Sequence, residues 1–205
     1  MRSREIQQFL SSITNRPLSD IDQRCRRLRE EDIPSGPRGW SAPHMTKAQA
    51  LMHVLALTSR RAVDSYQVLQ LALDCRLVQH PEVLDLTEAF SMVDSLAGFM
   101  MISMDQDSME AINNVGFRFI SFEIADDGSH AFLNLERRSL KRLRFLFTTT
   151  PETDAIRLHT ADAYNHFDAK VACSRFIIGA HHLKEIGSRV LDAHQRDDEI
   201  AEAAE

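Results

Sequence analysis

Ten residues, Pro34-Ser-Gly-Pro-Arg-Gly-Trp-Ser-Ala-Pro43, constrain this chain more than any other stretch. Proline lacks an N–H donor and fixes φ, so three prolines with two glycines deny the run a helix and allow nothing more regular than a small hairpin. The run therefore separates the helical patterns on either side. Upstream, Ile6, Phe9, Leu10 and Ile13 recur at helical spacing and predict a helix over 4–14 with Ser3 as its cap, ended by Asn15-Arg16-Pro17. Ser19 then caps a second helix over about 19–31, with Asp22 as a shortened capping-box partner and Ile21, Cys25 and Leu28 on its buried face. Its other faces carry Arg24, Arg26, Arg27 and Arg29, and Ile33-Pro34 closes it. Downstream, Thr46 caps a third helix whose Ala50, Leu51, Val54, Leu55 and Leu57 would pack on the first two.

Charge is divided along the chain. The overall balance of 24 Lys+Arg against 30 Asp+Glu, −6, argues against nucleic acid when taken alone. Residues 1–62 nevertheless hold 11 Lys/Arg and 6 Asp/Glu, a balance of +5, whereas 63–205 hold 13 and 24, a balance of −11. An acidic body repels a polyanion, so a nucleic-acid surface would be confined to the N-terminal part.

Past residue 60, Val63, Tyr66, Leu69, Leu73 and Leu77 predict a helix over 62–77, broken by His80-Pro81. Residues 86–104 look helical from Thr87, although Met100-Met101-Ile102-Ser103-Met104 fits a strand as well. From Val115 the period changes: 116–124 is rich in aromatic and β-branched residues, Asp126-Asp127-Gly128 makes a hairpin turn, and 131–135 is the return strand. Residues 143–149 supply a third strand, and helical spacing returns over 161–194, with Gly179 as a possible divider.

These patterns predict an α+β fold, mostly helical. An N-terminal winged helix-turn-helix would occupy 1–60, with the wing at 35–43. A helical segment, a small antiparallel β-sheet and a C-terminal helix would form a dimerisation or effector domain over 61–196, before an acidic tail at 197–205. Phe117, Phe119, Phe122, Phe132, Phe145 and Phe147 would form its core or a subunit interface.

Reading a duplex through the major groove needs a helix that exposes long hydrogen-bonding side chains and is held at a fixed angle by a packed neighbour. The 19–31 helix meets that requirement. Arg pairs bidentately with guanine and Gln with adenine, so Gln23, Arg24 and Arg27 are the leading base-contact residues, with Arg26 beside them and Ser19 in support at the helix start. In the loop, Gly39 lets the backbone approach the sugar-phosphate chain, Arg38 suits the minor groove, and Trp40 and His44 flank it.

The same run resembles the N-terminus of winged helix-turn-helix proteins of proteobacterial phages, prophages and related mobile elements. The residues that carry the likeness are Leu28-Arg29, Arg38-Gly39 and Ala42-Pro43-His44-Met45-Thr46, and Pro37 departs from it where the pattern often has Gly. The resemblance covers about 60 residues. It implies a sequence-specific DNA-binding transcriptional regulator.

The expectation is thus a homodimeric regulator of double-stranded DNA that needs no cofactor, with a possible protein partner for the C-terminal domain. The competing expectation is a protein-interaction adaptor or antagonist that uses its acidic domain. In it the arginines of 19–31 form a solvated face paired with Glu30 and Glu31. Arg137, Arg138, Lys141, Arg142 and Arg144 make a second basic patch. Catalysis is not expected, because His159, His166, His181, His182, Asp154, Asp162 and Asp168 form no HExxH, and neither a GxSxG nor a phosphate-loop pattern occurs. Cys25, Cys75 and Cys173 are too scattered for a disulfide framework or a zinc site. No apolar run approaches the roughly 20 residues of a membrane span, and Met-Arg-Ser-Arg-Glu does not open a signal peptide, so a cytoplasmic protein with no membrane partner is expected.

Overall fold

The computed structural model describes residues 2–33, 44–78, 93–138, 142–149 and 175–202. These form seven α-helices and one five-stranded antiparallel sheet. Helix α1 spans Ser3–Thr14, α2 Leu18–Glu30, α3 Lys47–Ala56 and α4 Ser65–Asp74, the last preceded by a 3₁₀ turn at Ala62–Asp64. The short strand β1 (Arg76–Leu77) leads to α5 (Leu96–Ser103) and α6 (Gln106–Asn114). Strands β2 (Phe117–Ala125), β3 (His130–Arg137), β4 (Arg142–Thr148) and β5 (Arg175–Gly179) precede the long helix α7 (Ala180–Glu202).

The α+β expectation holds at this level, with several corrections of detail. Helix α2 starts at Leu18 behind Pro17, whose carbonyl accepts from the amides of Asp20 and Ile21 (3.0 and 3.2 Å). Ser19 therefore lies inside the first turn, exposed, and is not the cap. At the other end Asp32 takes the left-handed conformation (φ 54°), and the Ile33 amide donates to Leu28 O at 2.9 Å. This Schellman closure ends α2 before Pro34 is reached. Thr46 caps α3 as expected: its hydroxyl accepts from the Gln49 amide (3.2 Å) while Gln49 Oε1 accepts from the Thr46 amide (2.9 Å).

The helix expected over 62–77 is shorter. Asp74 ends it, Leu77 belongs to β1 opposite Phe147, and Val63 is 56% exposed in the 3₁₀ turn. Ser95 caps α5 by accepting from the Gly98 amide (3.1 Å), so Val93 precedes the helix and the methionine run is helical. Asp105 opens α6, which the sequence pattern did not single out, by accepting from the Ser108 amide (3.1 Å). Phe176 and Ile177 stand in β5 rather than in a helix, and Gly179 marks the change to α7. That helix continues through Glu202, into the stretch expected to be a separate tail.

The strand order is β1-β4-β3-β2-β5. Phe119 faces Leu135 but Ser121 faces Asn134, so Ile120 is an extra residue in β2. This bulge keeps Phe117 and Phe119 on the same face as Phe122 and Ile124, whose numbers have the opposite parity. Five of the six singled-out phenylalanines join the core on that face, where Phe99 of α5 meets Phe119 and Phe147 at 6.1 and 5.5 Å between ring centroids. Phe132 is the exception, lying on the opposite face with Val78 and Leu146.

One continuous core links both sides of residue 60, from Ile6 of α1 to Ala193 of α7. Polar contacts cross the same line. Lys47 Nζ lies 2.7 Å from Asp105 Oδ1, and His194 Nε2 donates to Met45 O at 3.1 Å. The closest approach is at Gly187 of α7, where an added Cβ would lie 1.8 Å from Met104 O. Gly187→Ala should accordingly lower stability by about 2 kcal/mol in urea denaturation, although helix propensity alone favours alanine by about 1 kcal/mol.

Three buried groups show how dry this core is. Burial raises the thiol pKa of Cys25 to about 11 and of Cys75 to about 12, so both remain protonated. His53 donates from Nδ1 to Gln49 O (2.9 Å), and burial lowers its pKa to about 4. A depressed folded-state value means full stability above about pH 6.5 and a loss as pH falls from there towards 4, by at most about 1.4 kcal/mol per pH unit. His53→Leu should flatten that part of a stability–pH profile.

Candidate nucleic-acid interface

The Asn15-Arg16-Pro17 turn reverses the chain between α1 and α2, with Asn15 in the left-handed conformation (φ 54°) and Ser11 Oγ donating to Arg16 O at 2.7 Å. Ile21, Cys25 and Leu28 then seat α2 against the core, as their spacing predicts. Arg24 belongs to the same stripe. It is 1% exposed, and its guanidinium fans out beneath the end of α3. Nη1 donates to Ala56 O (3.1 Å), Ser59 O (2.9 Å) and Ser59 Oγ, Nη2 donates to Arg60 O (3.2 Å), and Nε donates to Asp20 Oδ2 (2.9 Å).

The expectation that Arg24 shares an exposed face with Gln23 and Arg27 is therefore corrected. The last carbonyls of a helix lack intrahelical partners and form the negative end of its dipole; Arg24 satisfies that of Ala56 together with the Ser59 and Arg60 carbonyls just beyond it, while Val54 O and Leu55 O accept from the Leu57 and Thr58 amides. A planar cation with several fixed donors suits that fan of acceptors. Base reading by this side chain would require breaking all of these bonds.

What α2 does expose is a ridge formed by Ser19, Gln23, Arg26, Arg27 and Glu30. Arg26 is 66% exposed and paired with Asp22 at 2.6 Å; Arg27 is 41% exposed and paired with Glu30 at 2.8 Å. That pairing raises the Arg27 pKa through the Glu30 hydrogen bond. Arg29 approaches Asp22 at 3.9 Å and lies half-buried. The acids that compete for these arginines sit on α2 itself, at 20, 22 and 30, and no pair joins them to Glu31.

His44 lies edge-on to His194 of α7, with ring centroids 6.0 Å apart, so it contributes to helix packing and not to the α2 ridge. Arg38, Gly39 and Trp40, with the rest of the expected wing, lie outside the described residues, as do Cys173, Lys141 and the catalytic raw material at Asp154, His159, Asp162, His166 and Asp168. The His181 and His182 rings lie tilted at 45° with centroids 3.8 Å apart at the start of α7, and burial lowers the pKa of His182. Among the described residues no group of three His, Cys, Asp or Glu side chains is placed to hold a metal ion, and no helix is long and apolar enough to cross a membrane.

The second basic patch is divided up by the sheet. Arg144 sits 3.7 Å from the Phe132 ring centroid and pairs with Glu123 at 2.8 Å, Arg138 donates to Asn113 O at 3.3 Å, and Arg142 is exposed. Glu123 also pairs with Arg175 at 3.2 Å and accepts from Asn134 Nδ2 at 2.6 Å. This network on the outer face of the sheet was invisible in the sequence, because β-pairing brings together residues 21 and 52 positions apart.

No protein-family model, curated protein or solved structure matches this chain. The functional reading rests on its own residues.

The two kinds of arginine on α2 separate experimentally. Arg24→Ala should cost about 2–4 kcal/mol in urea denaturation because it orphans buried carbonyls, and Arg24→Lys should not restore it. Arg27→Ala should leave the denaturation midpoint unchanged.

Proposed function

We propose that the chain is a sequence-specific DNA-binding regulator that docks α2 in the major groove and uses the 35–43 loop on the backbone. The observation that supports this reading is the ridge of Ser19, Gln23, Arg26 and Arg27, exposed on a helix that buried Arg24 fixes to the end of α3. The ridge lies in the net-basic first third of an acidic chain. Its ion pairs are no obstacle, since exposed same-helix pairs are weak and readily exchanged for phosphate or base contacts.

In this reading Gln23 and Arg27 contact base edges, while Ser19, Arg26, Arg38 and Gly39 hold the backbone. A homodimer would place two such helices in successive grooves, about 34 Å apart. No cofactor is required, and the site is cytoplasmic, where genomic DNA is accessible.

Selection of bound sequences from a random duplex pool, followed by gel-shift titration, tests it. The wild type should enrich one motif; Arg27→Ala should bind it more weakly and with relaxed base preference, and Arg38→Ala should lower the salt slope by about 1. Failure to retard any enriched duplex would overturn the proposal in favour of an adaptor that acts through the acidic part of the chain.

A further inference from the structure

Arg16, Arg60 and Arg175 line a cleft of about 360 Å³ between the α1–α2 turn, the segment after α3 and strand β5. A single carboxylate, Asp126, lines it with them, and Glu123, which pairs with Arg175 at 3.2 Å, lies outside the lining. The remaining wall includes Phe176 and Ile177, and Ile177 at 63% is the most exposed large hydrophobic residue of the described chain.

The acids near this cleft are already committed. Asp20 Oδ2 accepts from Arg24 at 2.9 Å and lies 3.4 Å from Arg16, so one carboxylate oxygen serves two guanidiniums and holds the buried one more closely. Partial burial and the neighbouring Arg24 charge lower the Arg16 pKa, against the opposing effect of Asp20. Arg60 makes no side-chain hydrogen bond or ion pair among the described residues. The carbonyls of Ala56 at the end of α3 and of Ser59 and Arg60 just beyond it, which would otherwise repel an anion, accept from Arg24.

We infer that this cleft is a binding site for a small oxyanion, a carboxylate or phosphate ester, that carries an apolar body. Arg16 and Arg60 hold the oxyanion in charge-assisted hydrogen bonds, and the exposed Ile177 of β5 covers the apolar part. The volume suits a small ligand, since such sites are typically about 300–1,000 Å³. The walls come from the turn that positions α2 and from an edge of the sheet. Occupancy thus ties the sheet to the helix pair and provides a route by which a metabolite-sized anion regulates whatever the N-terminal helices bind. The site does not depend on that target being DNA.

Isothermal titration of the full chain with phenyl phosphate, benzoate and inorganic phosphate tests the assignment. Phenyl phosphate or benzoate should bind at one saturable site with Kd below about 1 mM. Arg60→Glu should weaken binding by about tenfold or more. Arg61→Glu, the same charge change on an exposed neighbour that pairs with Asp64 at 2.7 Å and does not line the cleft, should leave binding unaltered. The inference is overturned if no probe saturates, if both variants weaken binding equally, or if inorganic phosphate binds as tightly as phenyl phosphate. Unchanged thermal midpoints of both variants confirm that the comparison is between folded proteins.

Discussion

One buried cation organises the N-terminal half of this molecule. The Arg24 guanidinium reaches from the middle of α2 to three carbonyls at and beyond the end of α3, and Asp20 holds its near side. Buried charges are tolerated only when paired and hydrogen-bonded, and this one is supplied on every side. The result fixes the direction in which α2 points outward. Ser19, Gln23, Arg26 and Arg27 become a ridge because Arg24, Cys25 and Leu28 are its opposite side. The same contact removes the negative end of α3 from the cleft where Arg16 and Arg60 meet β5.

The sheet anchors this arrangement from below. A single extra residue at Ile120 keeps the phenylalanines of β2 on one face, and α5, α6 and α7 close over them. Gly187 permits α7 to touch the Met104 carbonyl, and the Lys47–Asp105 and His194–Met45 contacts fasten α3 to that assembly. The N-terminal helices are consequently built into the same core as the sheet. A ligand or partner that shifts β5 would be felt at the α1–α2 turn, since both line one cleft.

Much of the local structure was legible. The Thr46–Gln49 capping box, the Asp-Asp-Gly hairpin, the aromatic strands and the apolar stripes of α1 and α2 follow from spacing and side-chain chemistry that operate within a few residues. The burial of Arg24 carried a signal too. Ile21, Arg24, Cys25 and Leu28 form an i, i+3, i+4, i+7 set, so the arginine falls within the apolar stripe, but its charge made the exposed reading more natural. Helix α6 was missed because its polar composition gives only Met109 and Ile112 to the core. Phe176 and Ile177 fit a helical period as well as a strand, and pairing with β2 decided between them.

The sequence by itself determined most of the helices and strands, the net positive balance of the first third of the chain against the net negative balance of the rest, and the residues available to touch a polyanion. Tertiary structure alone decided which of those residues are free to do so. Helical spacing specifies the angle between Arg24 and Arg27 but not which side will meet the core, and only the carbonyls at the end of α3, more than thirty residues away, assign one arginine to structure and leave the other facing outward. The cleft has the same origin: Arg16, Arg60 and Arg175 have no relation in sequence, and their shared wall exists because the chain folds back on itself.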